Sequence, residues 1–100
     1  MKGLLLTLGI LVSFNVSAEI TAEQIESCKT VKVEANAIMQ LRQMETDVSE
    51  VYALYGYKGP WIKVVDDAYN QWAMMGEEAK EKQATKFGNK YFLICFKAHS

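Results

Sequence analysis

The sequence of 100 residues has few of the residue types that mark specialised classes of protein. It contains one proline, six glycines and two cysteines, and half of it is hydrophobic, which excludes collagen-like, low-complexity and disordered chains. A formal net charge of −1 gives no electrostatic basis for nucleic-acid binding. The chain is also short for a dinucleotide-binding domain or a barrel enzyme. These absences leave one small folded domain.

The amino terminus has the three-part pattern of a secretory signal peptide. Lys2 supplies a positive charge, residues 4–12 are almost entirely apolar, and Val16 and Ala18 occupy the positions read at a cleavage site. The apolar run is about half of the ~20 residues that a membrane-spanning helix needs, which argues against a membrane anchor. We therefore predict a signal peptide, residues 1–18, cleaved after Ala18. Residues 19–100 would then form a single helical domain of a periplasmic or secreted protein, with no membrane span after cleavage.

Both cysteines, Cys28 and Cys95, lie in the predicted mature chain. An even number of cysteines in a small exported domain indicates a disulfide bond. The alternative is a redox or metal-binding pair, but the sequence has no Cys-x-x-Cys, and its single histidine, His99, lies at the end of the chain. The sequence therefore predicts a Cys28–Cys95 disulfide, no metal site and no cofactor.

Helical periodicity and capping signals predict four helices and no strand. A capping box at residues 21–24 opens a long helix to about Met44, and a second box at residues 47–50 opens a short helix to about Tyr55. Pro60 suits the first position of a third helix, whose predicted apolar face extends as far as Trp72 and Met75. A fourth helix is predicted over residues 77–97.

The predicted core face of the fourth helix consists of Ala84, Phe87, Tyr91, Ile94, Cys95 and Ala98. Cys28 falls on the apolar face of the first helix in the same way. The agreement of the two faces supports the disulfide. The predicted fold is all-α, a compact bundle of about four helices stapled by one disulfide between the first and last helices.

Several short motifs occur together across the predicted mature chain. They are Cys28, the run Ala-x-x-Ile-Met-x-x-Arg-Gln at residues 35–43, Ala68-Tyr69, Phe-Gly-Asn at residues 87–89 and the aromatic-rich residues 91–95. In this arrangement the chain resembles small secreted two-cysteine all-helical proteins of proteobacteria and their phages. The resemblance implies a helical fold and export, and it implies no activity. In plan the chain is also similar to spackle-type phage periplasmic proteins and to acid-activated periplasmic chaperones.

The sequence has no arrangement that is typical of a catalytic site. The carboxylates at residues 66–67 and 77–78 are adjacent in predicted helices, where neighbouring side chains point about 100° apart, so neither pair shares a site. No phosphate-binding loop and no metal-binding motif is present. We therefore predict no catalytic residue and no enzymatic activity.

Arg42 is the first candidate site residue, because it continues the apolar stripe of the first helix after Ala35 and Met39. An arginine in such a position is paired, extends to solvent or binds carbonyl groups at the helix end. We expect a structural ion pair with one of four carboxylates, those of Glu45, Glu50, Asp66 and Asp67. The alternative is a buried or crevice cation that faces a ligand between the first and third helices.

Aromatic residues form two candidate interaction surfaces. Tyr55 and Tyr57 crowd the corner where the short helix meets the third, and tyrosine is a frequent anchor of protein interfaces. Phe92 and Phe96 lie one turn apart, about 120° from the core stripe of the last helix. Either this helix is buried on two sides, or the phenylalanine pair is exposed for a partner or a homodimer.

The sequence combines many aromatic residues with a predicted disulfide and has no arrangement typical of a catalytic site. We therefore predict a non-enzymatic protein–protein interaction module of the cell envelope. An inhibitor, an exclusion factor or an accessory subunit would fit, and the expected partner is a protein rather than a nucleic acid. The alternative is an acid-activated periplasmic chaperone, in which protonation of carboxylates releases hydrophobic faces while the disulfide holds the opened chain together. A third interpretation, a small hydrolase or redox enzyme, would need His99 or free thiols.

Overall fold

The computed structural model describes residues 19–100, and within this range the chain forms four helices and no strand. The helices are α1 (Ala22–Gln43), α2 (Val48–Tyr55), α3 (Trp61–Tyr69) and α4 (Glu77–Ala98). The predicted all-α fold is confirmed. The predicted signal peptide and its cleavage after Ala18 lie outside the described residues. No helix within residues 19–100 is both long enough and apolar enough to span a membrane.

The first two helices begin at the predicted capping residues. Thr21 Oγ1 accepts a hydrogen bond from the backbone N–H of Gln24 at 3.1 Å, and the Gln24 side chain accepts one from the Thr21 N–H at 2.9 Å. The first capping box is therefore complete. At α2, the Asp47 side chain accepts from the Ser49 N–H at 3.1 Å. Asp47 therefore caps the helix through Ser49, and neither bond of the predicted capping box with Glu50 is formed.

The two long helices, α1 and α4, form the main layer of the bundle. They run antiparallel, because Cys28 near the start of α1 meets Cys95 near the end of α4. The predicted Cys28–Cys95 disulfide is confirmed, with the two Cα atoms 5.5 Å apart. The helices also approach closely at Gly88, where a Cβ atom would lie 2.9 Å from the carbonyl oxygen of Lys32.

The two short helices, α2 and α3, cover one side of α1. The buried core that results contains Ala35, Ile38, Met39, Val51, Val64, Val65, Ala68, Ala84 and Phe87. The helical spacing of these residues within each segment is the reason that the segments fold as amphipathic helices. The core lies beside the carboxyl-terminal half of α1, and this half carries the candidate site described below.

Two parts of the predicted core faces are wrong. The third helix ends at Tyr69, so Trp72 and Met75 do not continue its apolar face and are exposed instead. The Asn70 N–H bonds back to the Asp66 carbonyl, and the chain then leaves the helix. On α4, Ile94 is half exposed and Ala98 is exposed, because α4 packs mainly against α1 and a contact between two helices buries only a narrow stripe of each.

Candidate functional site

The segment between α3 and α4, residues 70–76, is fixed by two side chains at the end of α1. Arg42 Nε and Nη2 both donate to the carbonyl oxygen of Gln71, at 3.1 and 3.0 Å. Gln43 Nε2 donates to the carbonyl oxygen of Trp72 at 3.0 Å, and Gln43 Oε1 accepts from the backbone N–H of Met74 at 2.6 Å. We call residues 70–76 the anchored linker, because four hydrogen bonds hold its backbone against α1.

Gln43 is the only buried polar residue within residues 19–100, with 2% of its surface exposed. A buried amide is tolerated only when its donor and acceptor are both used, since an unpaired polar group is costly. Here both are satisfied by the linker backbone, and the amide nitrogen also lies 3.2 Å from Met39 Sδ. The side chain of Gln43 therefore specifies the position of a linker that has no regular secondary structure of its own.

Arg42 is half-buried and does not form the expected ion pair with Glu45, Glu50, Asp66 or Asp67. Its guanidinium instead binds the Gln71 carbonyl and lies over the Tyr69 ring, 5.3 Å from the ring centroid. Burial raises the pKa of Tyr69, and its hydroxyl donates to the Thr46 carbonyl at 2.6 Å. The carbonyl oxygen of Gln71, two residues after the end of α3, thus replaces a carboxylate as the partner of Arg42.

The anchored linker presents large apolar side chains to solvent. Trp72 is 84% exposed and Met75 is 91% exposed, while Met74 is partly exposed. Met44, which follows α1 directly, is 70% exposed. The linker side chains Trp72, Met74 and Met75 point outward because the backbone of the linker is bonded inward to Arg42 and Gln43. We call Met44, Trp72, Met74 and Met75 the Trp–Met surface.

A groove of about 480 Å³ lies between α1 and α4 beside this surface. Its walls combine amide, carboxylate and apolar side chains, from Asn36, Gln40, Gln43, Met44, Glu77, Lys80, Glu81, Ala84 and Thr85. Met44 lines this groove, and Met75 lines a second depression that shares Glu77 with it, so these two methionines border the same region. Such a concave, half-apolar surface can accept apolar side chains and hydrogen-bond their polar flanks.

The two tyrosines of the predicted corner differ in burial: Tyr55 is partly buried and Tyr57 is exposed. The Tyr55 ring lies 5.8 Å from the Trp61 ring, and its hydroxyl donates to Glu34 Oε1 at 3.0 Å. Burial, together with this bond, raises the pKa of Tyr55 to about 12. Tyr55 therefore joins α2 to its neighbours, whereas Tyr57 lies in the loop after α2 and is largely exposed.

Phe92 and Phe96 are each half-buried and stack on one another, with ring centroids 6.1 Å apart. The adjacent Leu93 and Ile94 are more exposed than either ring. The structure therefore places these aromatic rings near the disulfide end of α4. They lie away from the anchored linker, which leads into the opposite end of α4.

Hydrogen bonds to the carboxylate of Asp67 join α3 to α4. Asp67 Oδ2 accepts from Lys90 Nζ at 2.6 Å and from the Tyr91 hydroxyl at 2.7 Å, and Asp67 Oδ1 accepts from Gln71 Nε2 at 3.1 Å. Burial alone would raise the pKa of Asp67, but these hydrogen bonds outweigh it and hold the pKa below its ordinary value. Burial and the bond to Asp67 in turn raise the pKa of Tyr91.

Cys28, Cys95 and His99 are the one group of potential metal ligands that residues 19–100 bring together, with ligand atoms within 4.8 Å of one another. Both sulfur atoms belong to the disulfide, and the described chain contains no free cysteine. A disulfide offers no thiolate to a metal ion or to a substrate. The redox interpretation, which needed free thiols, is therefore not supported by the oxidised chain.

Sequence reasoning missed Met44, Trp72, Met74 and Met75 as surface residues. The available signal was Gln43, an amide that follows Met39 by four residues on the buried face of α1. A polar side chain in a core stripe implies a backbone segment that needs partners.

No protein-family model matches the chain, and no curated protein or solved structure is significantly similar to it.

Proposed function

We propose that the chain is an exported, non-enzymatic protein-binding module and that the Trp–Met surface is its docking site. The observation that carries this proposal is the anchored linker, which exposes Trp72 and Met75 on a backbone fixed by Arg42 and Gln43. Tryptophan and methionine are enriched at protein interfaces, and tryptophan is a frequent hot-spot residue. The disulfide is compatible with an oxidising compartment outside the cytoplasm.

The fixed backbone of the anchored linker supports a role of its exposed side chains in binding. Ordering a flexible loop on association costs free energy, and a loop that is already ordered avoids that cost. Four hydrogen bonds from α1 hold the linker before any partner arrives. Methionine side chains adapt their shape to the partner, so a rigid backbone with flexible apolar side chains is a suitable docking surface.

The test is capture of the partner by cross-linking in an oxidising periplasm, followed by purification and measurement of the dissociation constant. The test variant is Trp72→Ser/Met75→Ser. The matched control is Leu54→Ser/Tyr57→Ser, because these residues are also largely exposed but lie in and after α2. Loss of one hot-spot tryptophan costs about 2 kcal/mol or more, which is roughly a 30-fold weaker complex.

The expected result is a partner that the control variant binds normally and that the Trp72→Ser/Met75→Ser variant binds at least about 30-fold more weakly. Circular dichroism should show the same helicity for both variants, since both pairs of residues are exposed. Equal affinity of the two variants, or recovery of no partner by either protein, would overturn the proposal.

An acid-activated chaperone is the second candidate function, and bonds between tyrosine and carboxylate groups favour it. Tyrosine hydroxyls bridge three pairs of helices: Tyr55 to Glu34, Tyr52 to Asp66, and Tyr91 to Asp67. Protonation of the carboxylates in acid would weaken these bonds, while the disulfide would keep α1 and α4 together. The apolar faces under α2 and α3 would then be available to unfolded clients.

This second function predicts that a hydrophobic dye binds as the pH falls from neutral to about 3, near and below the ordinary carboxylate pKa values. Suppression of aggregation of a denatured client should rise over the same range. The Cys28→Ser/Cys95→Ser variant serves as the control, because it should unfold in acid without retaining a compact state. A chain that binds no dye at pH ~3 is not an acid-activated chaperone.

A further inference from the structure

We infer that reduction of the disulfide creates a binding site for a zinc ion, with Cys28, Cys95 and His99 as its ligands. The two Sγ atoms and a ring nitrogen of His99 lie within 4.8 Å of one another. This cluster joins the end of α4 to the start of α1, whereas the anchored linker enters α4 at its other end. The metal site is therefore separate from the Trp–Met surface and independent of the proposed function.

Two different helices bring the three side chains together. Cys95 and His99 are four residues apart at the end of α4, a spacing that places two side chains on the same face of a helix. Cys28 comes from α1, and the antiparallel packing of the long helices sets its Cα atom 5.5 Å from that of Cys95. A pair of ligands at a short interval, completed by a ligand from a distant part of the sequence, is typical of zinc sites.

The His99 side chain is available as a ligand. Its imidazole has no hydrogen-bond or ion-pair partner among residues 19–100, although the next residue, Ser100, donates its hydroxyl to the Phe96 carbonyl. Cys28 is fully buried, Cys95 is half-buried and His99 is exposed. The cluster therefore extends from the interior of the helix pair to solvent, from which an ion can enter.

Reduction supplies the two thiolates that the oxidised chain lacks. A dithiol reductant transfers two electrons and two protons to the Cys28–Cys95 bond, so the S–S bond breaks, each cysteine becomes a thiol, and the reductant closes a disulfide of its own. A zinc ion then replaces the two thiol protons, which pass to solvent, and the neutral imidazole of His99 donates its lone pair. Oxidation and metal binding therefore exclude one another.

The three donor atoms select zinc among the common divalent ions. Two thiolate sulfurs and an imidazole nitrogen bind Zn²⁺ well, whereas Mg²⁺ and Ca²⁺ require oxygen ligands. With Zn–S bonds of about 2.3 Å in a tetrahedral site, the two sulfurs stand about 3.8 Å apart. Because the Cα atoms are 5.5 Å apart, rotation of the two side chains provides this distance without separation of the helices. Water then occupies the fourth position.

Bound zinc replaces the disulfide as the link between α1 and α4. Both links join Cys28 to Cys95, so both hold the start of the first helix against the end of the last. A metal ion that binds the folded chain stabilises it in proportion to its affinity. Zinc would therefore preserve the contact between the long helices in a reducing environment, where the disulfide is lost.

The test compares the reduced chain with the oxidised chain. The chain is reduced with a phosphine, because a dithiol would itself bind zinc. Co²⁺, a spectroscopic substitute for Zn²⁺, should give thiolate charge-transfer absorption in the reduced chain only, and competition with a chromophoric chelator gives the dissociation constant for zinc. Zinc should raise the urea concentration at which the reduced chain unfolds and should leave that of the oxidised chain unchanged. Mg²⁺ should change neither.

The variant His99→Ala should bind zinc at least about tenfold more weakly than the reduced wild type, since even an indirect partner of a metal ion contributes this much. Its matched control is Ser100→Ala, at the neighbouring exposed position, which should bind zinc normally. Cys28→Ser/Cys95→Ser should bind none. Equal affinity of the His99→Ala and Ser100→Ala variants would overturn the three-ligand site.

Circular dichroism distinguishes a folded metal site from free thiols in an unfolded chain. If reduction alone lowers the helicity, zinc should restore it in the wild type and in Ser100→Ala, and less in His99→Ala at the same zinc concentration. Zinc that leaves the helicity and the urea midpoint of the reduced chain unchanged would overturn the inference. A stoichiometry of one ion for two chains would also overturn it, because the ligands would then come from different molecules.

Discussion

Replacement of Gln43 by alanine tests the claim that one buried amide fixes the anchored linker. In the wild-type chain its amide nitrogen donates to the Trp72 carbonyl at 3.0 Å, and its oxygen accepts from the Met74 N–H at 2.6 Å. The substitution removes both bonds and leaves two backbone groups without their partners. It also removes most of a side chain that is 2% exposed and packs beside Met39.

The expected loss is about 2–4 kcal/mol in the free energy of unfolding. Removing one partner of a buried hydrogen bond leaves the other partner unpaired, which costs about 1–3 kcal/mol where water does not reach it, so the combined range for two backbone groups is about 2–6 kcal/mol. Water can enter from the exposed side of the linker, so the lower half of the combined range applies. For a domain of this size, each kcal/mol shifts the melting temperature by about 4–8 °C.

Two measurements check this prediction. Urea unfolding followed by circular dichroism, with the disulfide intact, gives the loss of stability. Hydrogen exchange gives the local effect: the Met74 amide should exchange slowly in the wild type and rapidly in Gln43→Ala. The matched control is Gln40→Ala, one turn earlier on the same helix, where the side chain is exposed and bonds only to Asn36.

The control should change stability by no more than about 0.5 kcal/mol, as is usual for exposed positions. If Gln43→Ala unfolds at the same urea concentration as Gln40→Ala and keeps Met74 protected, the amide does not anchor the linker. Gln43 would then not be the reason that Trp72 and Met75 are exposed.

Three further predictions concern the rest of the fold. Reduction of Cys28–Cys95 should lower the free energy of unfolding by about 4 kcal/mol, from the entropy of a loop spanning 67 residues, measured by urea titration with and without a dithiol. Asp67→Asn should destabilise the protein by about 1–2 kcal/mol at neutral pH. Because the folded-state pKa of Asp67 is lowered, its contribution is present above the unfolded pKa of about 3.9 and disappears as the pH falls through the lower folded value, as thermal melts at several pH values would show. Gly88→Ala should cost about 1–3 kcal/mol in urea unfolding, because its Cβ would lie 2.9 Å from the Lys32 carbonyl oxygen.

Each of these three predictions has a contradicting result. Unchanged stability on reduction would mean that the unfolded chain is not constrained by the disulfide. If the difference in stability between Asp67→Asn and the wild type did not change with pH, the charge of the Asp67 carboxylate would not stabilise the contact between α3 and α4. Asn89→Ala, at an exposed neighbouring position, is the control for Gly88→Ala, and equal stability of the two would show that α1 and α4 can separate at no cost.

Features that depend on neighbours in sequence were predictable. The capping box at Thr21 and Gln24 and the apolar stripe through Ala35, Ile38 and Met39 are local patterns, and the structure contains them. The disulfide followed from an equally simple condition, since two cysteines on inward faces have one possible intramolecular pairing. Local rules succeed here because the helices obey them without competition from distant groups.

The end of the third helix was not predictable in this way. Trp72 and Met75 continue its apolar periodicity, so a local rule places them in the core. The structure ends the helix at Tyr69, and Gln43 bonds to backbone groups 29 and 31 residues away. A contact at that separation leaves no periodic trace in the sequence.

Arg42 shows the same limit at a single residue. Its position on α1 indicated the need for a partner, and the nearby carboxylates were the obvious choices. The guanidinium binds the Gln71 carbonyl instead, because α3 ends at Tyr69 and brings the Gln71 carbonyl, which belongs to no helix, to Arg42. The sequence indicated that the Arg42 guanidinium needs a hydrogen-bonding partner, but the identity of that partner depended on where α3 ends.

The hydrogen bonds from α1 to the anchored linker all go to its main chain, at Gln71, Trp72 and Met74. The side chains of Arg42 and Gln43 supply these bonds to a backbone that belongs to no helix. The side chains at positions 72–75 are therefore not needed to keep the linker in place. Mutation can exchange them at little cost in folding, so the choice of partner can evolve on this scaffold independently of its stability.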